Sequence, residues 1–200
     1  MFSNDTTNIL TCTSPYHKEG DPFGPEMLEA TVDEAAGTGV EVHMIQLAHG
    51  AVPWYQSKVY PMKEHLDWWR SHYGADPMTD PCDVVSVNQY VLDGGDLLKI
   101  SVARCRKTGQ VPFLSVRMND VHFVNHADEK GNVLGTHALS RFYVENLDCR
   151  IGDDPMGWLR RGLDWRRDAV RDYMFFLIEE QCENYDIDNA RACIPQEWQP

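Results

Sequence analysis

Residues Pro25 to Ala48 read PEMLEATVDEAAGTGVEVHMIQLA. Pro25 stands at a first helical position, where a missing N–H costs nothing, and Met27, Leu28, Ala30, Val32 and Ala35 recur at helical spacing. The spacing predicts a helix over Pro25 to Ala36. Gly37-Thr38-Gly39 supplies the left-handed residues that end a helix, and Val40 to Ala48 (VEVHMIQLA) is a strongly apolar run of strand length. Upstream, Asn8 to Tyr16 (NILTCTSPY) is apolar and β-branched before Ser-Pro, so it is expected to be the first strand. Strand, helix and strand in that order form a βαβ unit, which favours a parallel sheet.

Downstream the period repeats. A long aromatic excursion, Pro53 to Asp83, contains Trp54, Tyr55, Tyr60, Trp68, Trp69 and Tyr73 and one expected helix, Pro61 to Tyr73. Asp96 to Lys107 reads as a helix closed by Thr108-Gly109, and Val111 to Met118 (VPFLSVRM) as the third strand. A second excursion, Asn119 to Gly162, carries a helical piece near Thr136 to Asn146. Asp168 to Asn184 (DAVRDYMFFLIEEQCEN) is the strongest helical pattern, and Tyr185-Asp186-Ile187-Asp188 is expected to open a fourth strand. Asn189 to Pro200 (NARACIPQEWQP) holds two prolines and no apolar alternation, and reads as a divergent tail. The expected fold class is thus α/β, with about four parallel strands, intervening helices and two long loop excursions.

The chain has 200 residues, of which 42% are hydrophobic and 24% charged, enough for one domain with a sizeable core. Its 18 basic and 31 acidic residues give a formal charge of -13, a field that repels phosphate backbones and anionic lipid. Nucleic-acid and membrane partners are therefore not expected. The start, Met1-Phe2-Ser3-Asn4-Asp5, lacks a basic and an apolar segment of the signal type, which points to a cytoplasmic location. Six cysteines without a C-x-x-C pair read as free, mostly buried thiols. Neither a glycine-rich phosphate loop nor a G-x-S-x-G elbow occurs, and no cofactor is expected.

In parallel α/β folds, ligands bind at the carboxyl ends of the strands. The densest group there is Arg117, Asn119, Asp120 and His122, which offers a cation, an amide, a carboxylate and an imidazole within six positions. Asp120 suits general acid or base work, with Arg117 favouring its charged form. The competing reading is a turn in which Asn119 and Asp120 cap backbone amides. Tyr16, His49 and Trp54 are further candidates for binding substrate, because exposed aromatic rings stack on the C–H faces of sugars. Trp68 and Trp69 read rather as anchors of their helix, and His43 as a core histidine. Asp120, His122 and His126 could alternatively ligate a metal, although they lack an H-x-H or H-E-x-x-H spacing.

The run VPFLSVRMNDVH (Val111 to His122), then Leu163-Asp164-Trp165 and Tyr185-Asp186-Ile187-Asp188, resembles the family-10-like glycosyl hydrolases of the (β/α)₈ barrel group. The resemblance implies hydrolysis of O-glycosidic bonds by paired carboxylates, with a carbohydrate substrate. Asp120 would be one carboxylate and Asp186 or Asp188 the other. In the family an Asp-Gly pair and a further acidic strand follow the long helix, whereas here Asp188 is followed by Asn189-Ala190-Arg191. The resemblance also implies that residues 1–200 are one domain, the N-terminal half of a TIM-like barrel, truncated and divergent over residues 189–200. Such a half barrel is expected to have little or no glycosidase activity and to self-associate through open sheet edges. The alternatives are a metal-dependent hydrolase and a non-catalytic, carbohydrate-binding half barrel.

Overall fold

The structure, a computed structural model, describes residues 1–5, 21–46, 48–49, 52–73, 76, 78, 84–118, 120–121, 124, 139–152 and 159–193. Strand β1 is Phe2–Asp5, helix α1 Pro25–Ala35 and strand β2 Val42–Gln46. A small hairpin, β3 (Ala48–His49) with β4 (Val52–Pro53), precedes helices α2 (Met62–Tyr73), α3 (Val84–Leu92) and α4 (Leu97–Thr108). Strand β5 (Val111–Arg117), helix α5 (Arg141–Glu145), helix α6 (Asp168–Asn184) and strand β6 (Asn189–Cys193) complete the order.

Among the described residues the main sheet has four strands in the order β1-β2-β5-β6, all parallel. Each strand lies beside the next one to enter the sheet, as helical crossovers between neighbouring parallel strands require. The fold class is α/β. The pairings Met44↔Phe113 and Ile45↔Leu114 fix the register between β2 and β5. Because side chains alternate along a strand, Met44, Gln46, Phe113, Ser115 and Arg117 share one face, and His43, Ile45, Pro112 and Leu114 the other. Ile45 packs into a core with Leu28 and Val32 of α1, Leu66 of α2, Val87 of α3, and Leu98 and Val102 of α4, all at most 6% exposed.

Local chemistry sets the helix ends. Gly24 precedes Pro25 at the start of α1. Gly109 adopts φ 78° after α4 and sends its N–H back to Arg106 O and Cys105 O, a conformation that favours glycine. Asp96 caps the start of α4. Its carboxylate accepts from Lys99 N at 2.8 Å, from Gln56 N at 3.3 Å and from the Tyr185 hydroxyl at 2.6 Å. Cys105 and Cys149 are buried free thiols and Cys182 is an exposed one; burial pushes the Cys105 thiol up to about 11.

The structure adds to or departs from these expectations at the first strand, at residues 84–92 and at the last strand. The first strand of the sheet lies at Phe2–Asp5, and the expected strand Asn8 to Tyr16 lies outside the described residues. Val84–Leu92, a stretch that carries no expectation from the sequence, is a helix. Its valines favour strands in isolation, but Val87 and Val91 stand one turn apart and bury against the α4 core, and packing overrides propensity. The fourth strand does not open at Tyr185; it is Asn189–Cys193, inside the expected tail. Its five register pairs, from Phe113↔Asn189 to Arg117↔Cys193, satisfy the backbone groups along the outer side of β5. Backbone pairing needs no apolar alternation, so composition gave no signal for it.

Candidate functional site

At the carboxyl edge of the sheet, β2 ends in Gln46 and β5 in Ser115, Val116 and Arg117, with Asp120 three residues on. Gln46, Ser115, Arg117 and Asp120 line one pocket of about 50 Å³, together with Tyr55 and Gln181. Gln46 and Ser115 are buried; Arg117 and Asp120 are half-buried. The convergence follows from topology, because neighbouring parallel strands deliver their carboxyl ends to one side.

The walls of this pocket are fixed by hydrogen bonds. The turn after β5 is held by the Trp165 indole, which donates to Met118 O at 3.0 Å. Ser140 Oγ accepts from Tyr143 N, and the Tyr143 hydroxyl donates to Arg161 O at 2.7 Å. The Arg150 guanidinium lies 4.4 Å from the centre of the Tyr143 ring, a cation–π contact. Tyr55 donates to Leu177 O at 3.4 Å, and burial, aided by the Glu180 charge, raises its hydroxyl so that it stays neutral. Glu180 is itself buried. It accepts from Ser57 Oγ at 2.6 Å, Lys58 N at 2.5 Å and Val59 N at 3.3 Å, and so pins the turn after β4 to α6.

Asp186 and Asp188 lie elsewhere. The Asp188 N–H donates to Pro112 O near the amino end of β5. Arg106, at the end of α4, holds Asp186 Oδ1 and Oδ2 at 2.9 Å each and its carbonyl at 3.0 Å, and pairs with Asp188 at 2.6 Å. From Pro112 to Arg117 the strand climbs roughly 17 Å at about 3.3 Å per residue. Glycosidase carboxylates stand roughly 5 to 10 Å apart. Asp120 therefore does not form a catalytic pair with Asp186 or Asp188, whose carboxylates serve as ion-pair partners on the opposite edge.

Trp54 is also corrected. It is 2% exposed, belongs to the helical core, and its carbonyl accepts from Leu97 N, so its ring is not offered to a sugar. Trp68 and Trp69 are buried beside Leu139, Tyr143 and Val144. His49 sits in the β3–β4 hairpin. Tyr16, Asn119, His122 and His126 lie outside the described residues. Among the described residues no three His, Cys, Asp or Glu side chains gather as a metal site, and no helix is long and apolar enough to cross a membrane.

The structure adds a group that the sequence reading missed. Tyr60, just before α2, shares a 2.8 Å hydrogen bond with His65 Nδ1 and accepts from the Arg141 N–H at 2.6 Å. Glu145 accepts from Arg141 Nε at 2.8 Å and from the Trp68 indole at 3.0 Å. The only sequence signal was the Arg141/Glu145 spacing of four inside an expected helical piece. In comparisons with known proteins, the chain matches no family model and no curated protein.

Proposed function

We propose that this chain is a glycoside hydrolase-like protein whose carbohydrate site lies at the carboxyl edge of the sheet, and that it binds sugar without cleaving it through Asp120 and Asp186 or Asp188. The observation that carries this reading is the pocket in which Gln46, Ser115, Arg117 and Asp120 converge from two neighbouring parallel strands. These groups supply amide, hydroxyl, guanidinium and carboxylate functions, the mixed donors and acceptors that sugar hydroxyls require. Arg117 would accept no hydrogen bond and so orient a hydroxyl lone pair, while Asp120 would take a hydroxyl proton into a hydrogen bond. At about 50 Å³ the pocket admits one or two hydroxyl groups and the ring rests over its mouth. The sequence resemblance supports the same ligand class. The split between Asp120 at one edge and Asp186 and Asp188 at the other favours binding over hydrolysis.

Titration calorimetry with methyl glycosides of glucose, xylose, mannose and galactose, run beside an aryl-glycoside hydrolysis assay, tests this. At least one glycoside binds, turnover stays at background, and Arg117→Met and Asp120→Asn each weaken binding at least tenfold. Binding to none of them would sink the reading. Turnover that disappears in both Asp120→Asn and Asp188→Asn would overturn the non-catalytic part.

A further inference from the structure

Beside the pocket under Arg117 and Asp120 lies a larger cleft of about 270 Å³, between the turn leading into α2 and helix α5. Ser140 lines the first and Arg141 the second, so consecutive residues border both, and the Tyr60 hydroxyl stands at the Arg141 amide between them. Ligand sites for drug-sized molecules run roughly 300 to 1,000 Å³, so this cleft suits a single ring.

Its lining is preorganised. Behind it, Tyr60 and His65 are locked together, and His65 is 1% exposed. Phe142 stacks flat on Tyr173, ring centres 4.4 Å apart and 4° from parallel, which holds one aromatic wall rigid. The Glu145 carboxylate is fixed by two donors, the Arg141 guanidinium and the Trp68 indole. Glu64 lies exposed among the lining residues. A carboxylate and a guanidinium side by side match a vicinal diol: one hydroxyl donates to Glu145 and its neighbour accepts from Arg141, while an aromatic ring covers the apolar side of a pyranose. Rotamers already frozen by the fold lose little entropy when such a ligand arrives.

We infer that this cleft is a second sugar subsite, and that the ligand is an oligosaccharide that spans from the pocket at Arg117 and Asp120 to the cleft at Glu64, Phe142 and Glu145. The inference rests on the carbohydrate reading above and adds the length of the ligand. Two linked subsites turn the second contact into an intramolecular one, so affinity rises with the number of sugar units once both are reached.

The probes are methyl monosaccharides and linear oligosaccharides of two to four units of glucose, xylose, mannose and galactose, titrated against the full chain. In the wild type an oligosaccharide binds at least tenfold more tightly than its own monosaccharide. Glu64→Gln and Arg141→Met, both at exposed side chains and checked for unchanged thermal unfolding, reduce that gain to less than threefold while the monosaccharide affinity stays. NMR shifts on oligosaccharide binding extend to residues 59–65 and 141–146. If oligosaccharides bind no better than monosaccharides, or if the gain survives both variants, the second subsite is overturned and the carboxyl-edge site stands. If no saccharide binds, both readings fail together.

Discussion

Two sets of carboxylates in this protein make similar numbers of hydrogen bonds in opposite surroundings. Asp186 and Asp188 surround Arg106 at the amino edge, with side chains 77% and 44% exposed. Glu180 is buried and receives a hydroxyl and two backbone amides from residues 57–59. The first set stood out in the sequence as acids beside a strand. The second lay unmarked inside an amphipathic helix. Energetic weight follows burial, because water competes for exposed groups and cannot replace lost bonds in the interior.

The largest effect is expected on removing Glu180. Glu180→Ala leaves the Ser57 hydroxyl and the Lys58 and Val59 amides without their acceptor, and should cost about 3 to 4 kcal/mol. Urea unfolding measures it, and Glu180→Gln, which keeps one acceptor oxygen, should lose about half as much. A loss below about 1 kcal/mol for the alanine variant would show that burial does not set the ranking.

Burial also makes His43 a source of pH-dependent stability. It is 1% exposed on β2, its Nδ1 has no hydrogen-bond partner among the described residues, and its ring meets Phe2 of β1 at 5.3 Å. Burial lowers its pKa from 6.5 to about 4. The unfolded chain thus takes up a proton near pH 6.5 that the folded chain refuses until about pH 4. The stabilisation is complete above the unfolded value and is lost as pH falls through this window, by up to about 3 kcal/mol. Thermal unfolding of the wild type against His43→Phe between pH 7 and 4.5 isolates this contribution; the variant should lack the corresponding slope.

The smallest effect belongs to the exposed cluster. Arg106→Met should lower the unfolding midpoint slightly, and by less in high salt, since the lost pairs are screened by ions. Saccharide binding should be unchanged, because the cluster lies at the other end of β5 from Asp120. A large drop, or one insensitive to salt, would mean that Arg106 holds β6 in place by more than surface attraction.

What the sequence disclosed follows from which physical signals are local. Pro25, Gly109 and the apolar spacing of Asp168 to Asn184 are written in neighbouring residues, and those elements stand where the sequence puts them. Strand β6 depends on the unsatisfied side of β5, and α3 on a core assembled from four distant segments, so neither leaves a local trace. At the site, Arg117 and Asp120 were legible because they stand at and just beyond the end of a strand. The contact between Tyr60 and Arg141 joins residues 81 positions apart, and only the folded chain brings them together.

Asp96 has a consequence for the order in which the native state opens. One carboxylate caps α4, restrains the backbone at Gln56 and receives the Tyr185 hydroxyl that leads from α6 into β6. Three segments far apart in sequence are thereby knotted at a single group. Fraying of the α4 start, release of the aromatic turn and detachment of the last strand are coupled through this one group, and Asp96→Ala should raise amide exchange in all three segments together rather than at the α4 start alone.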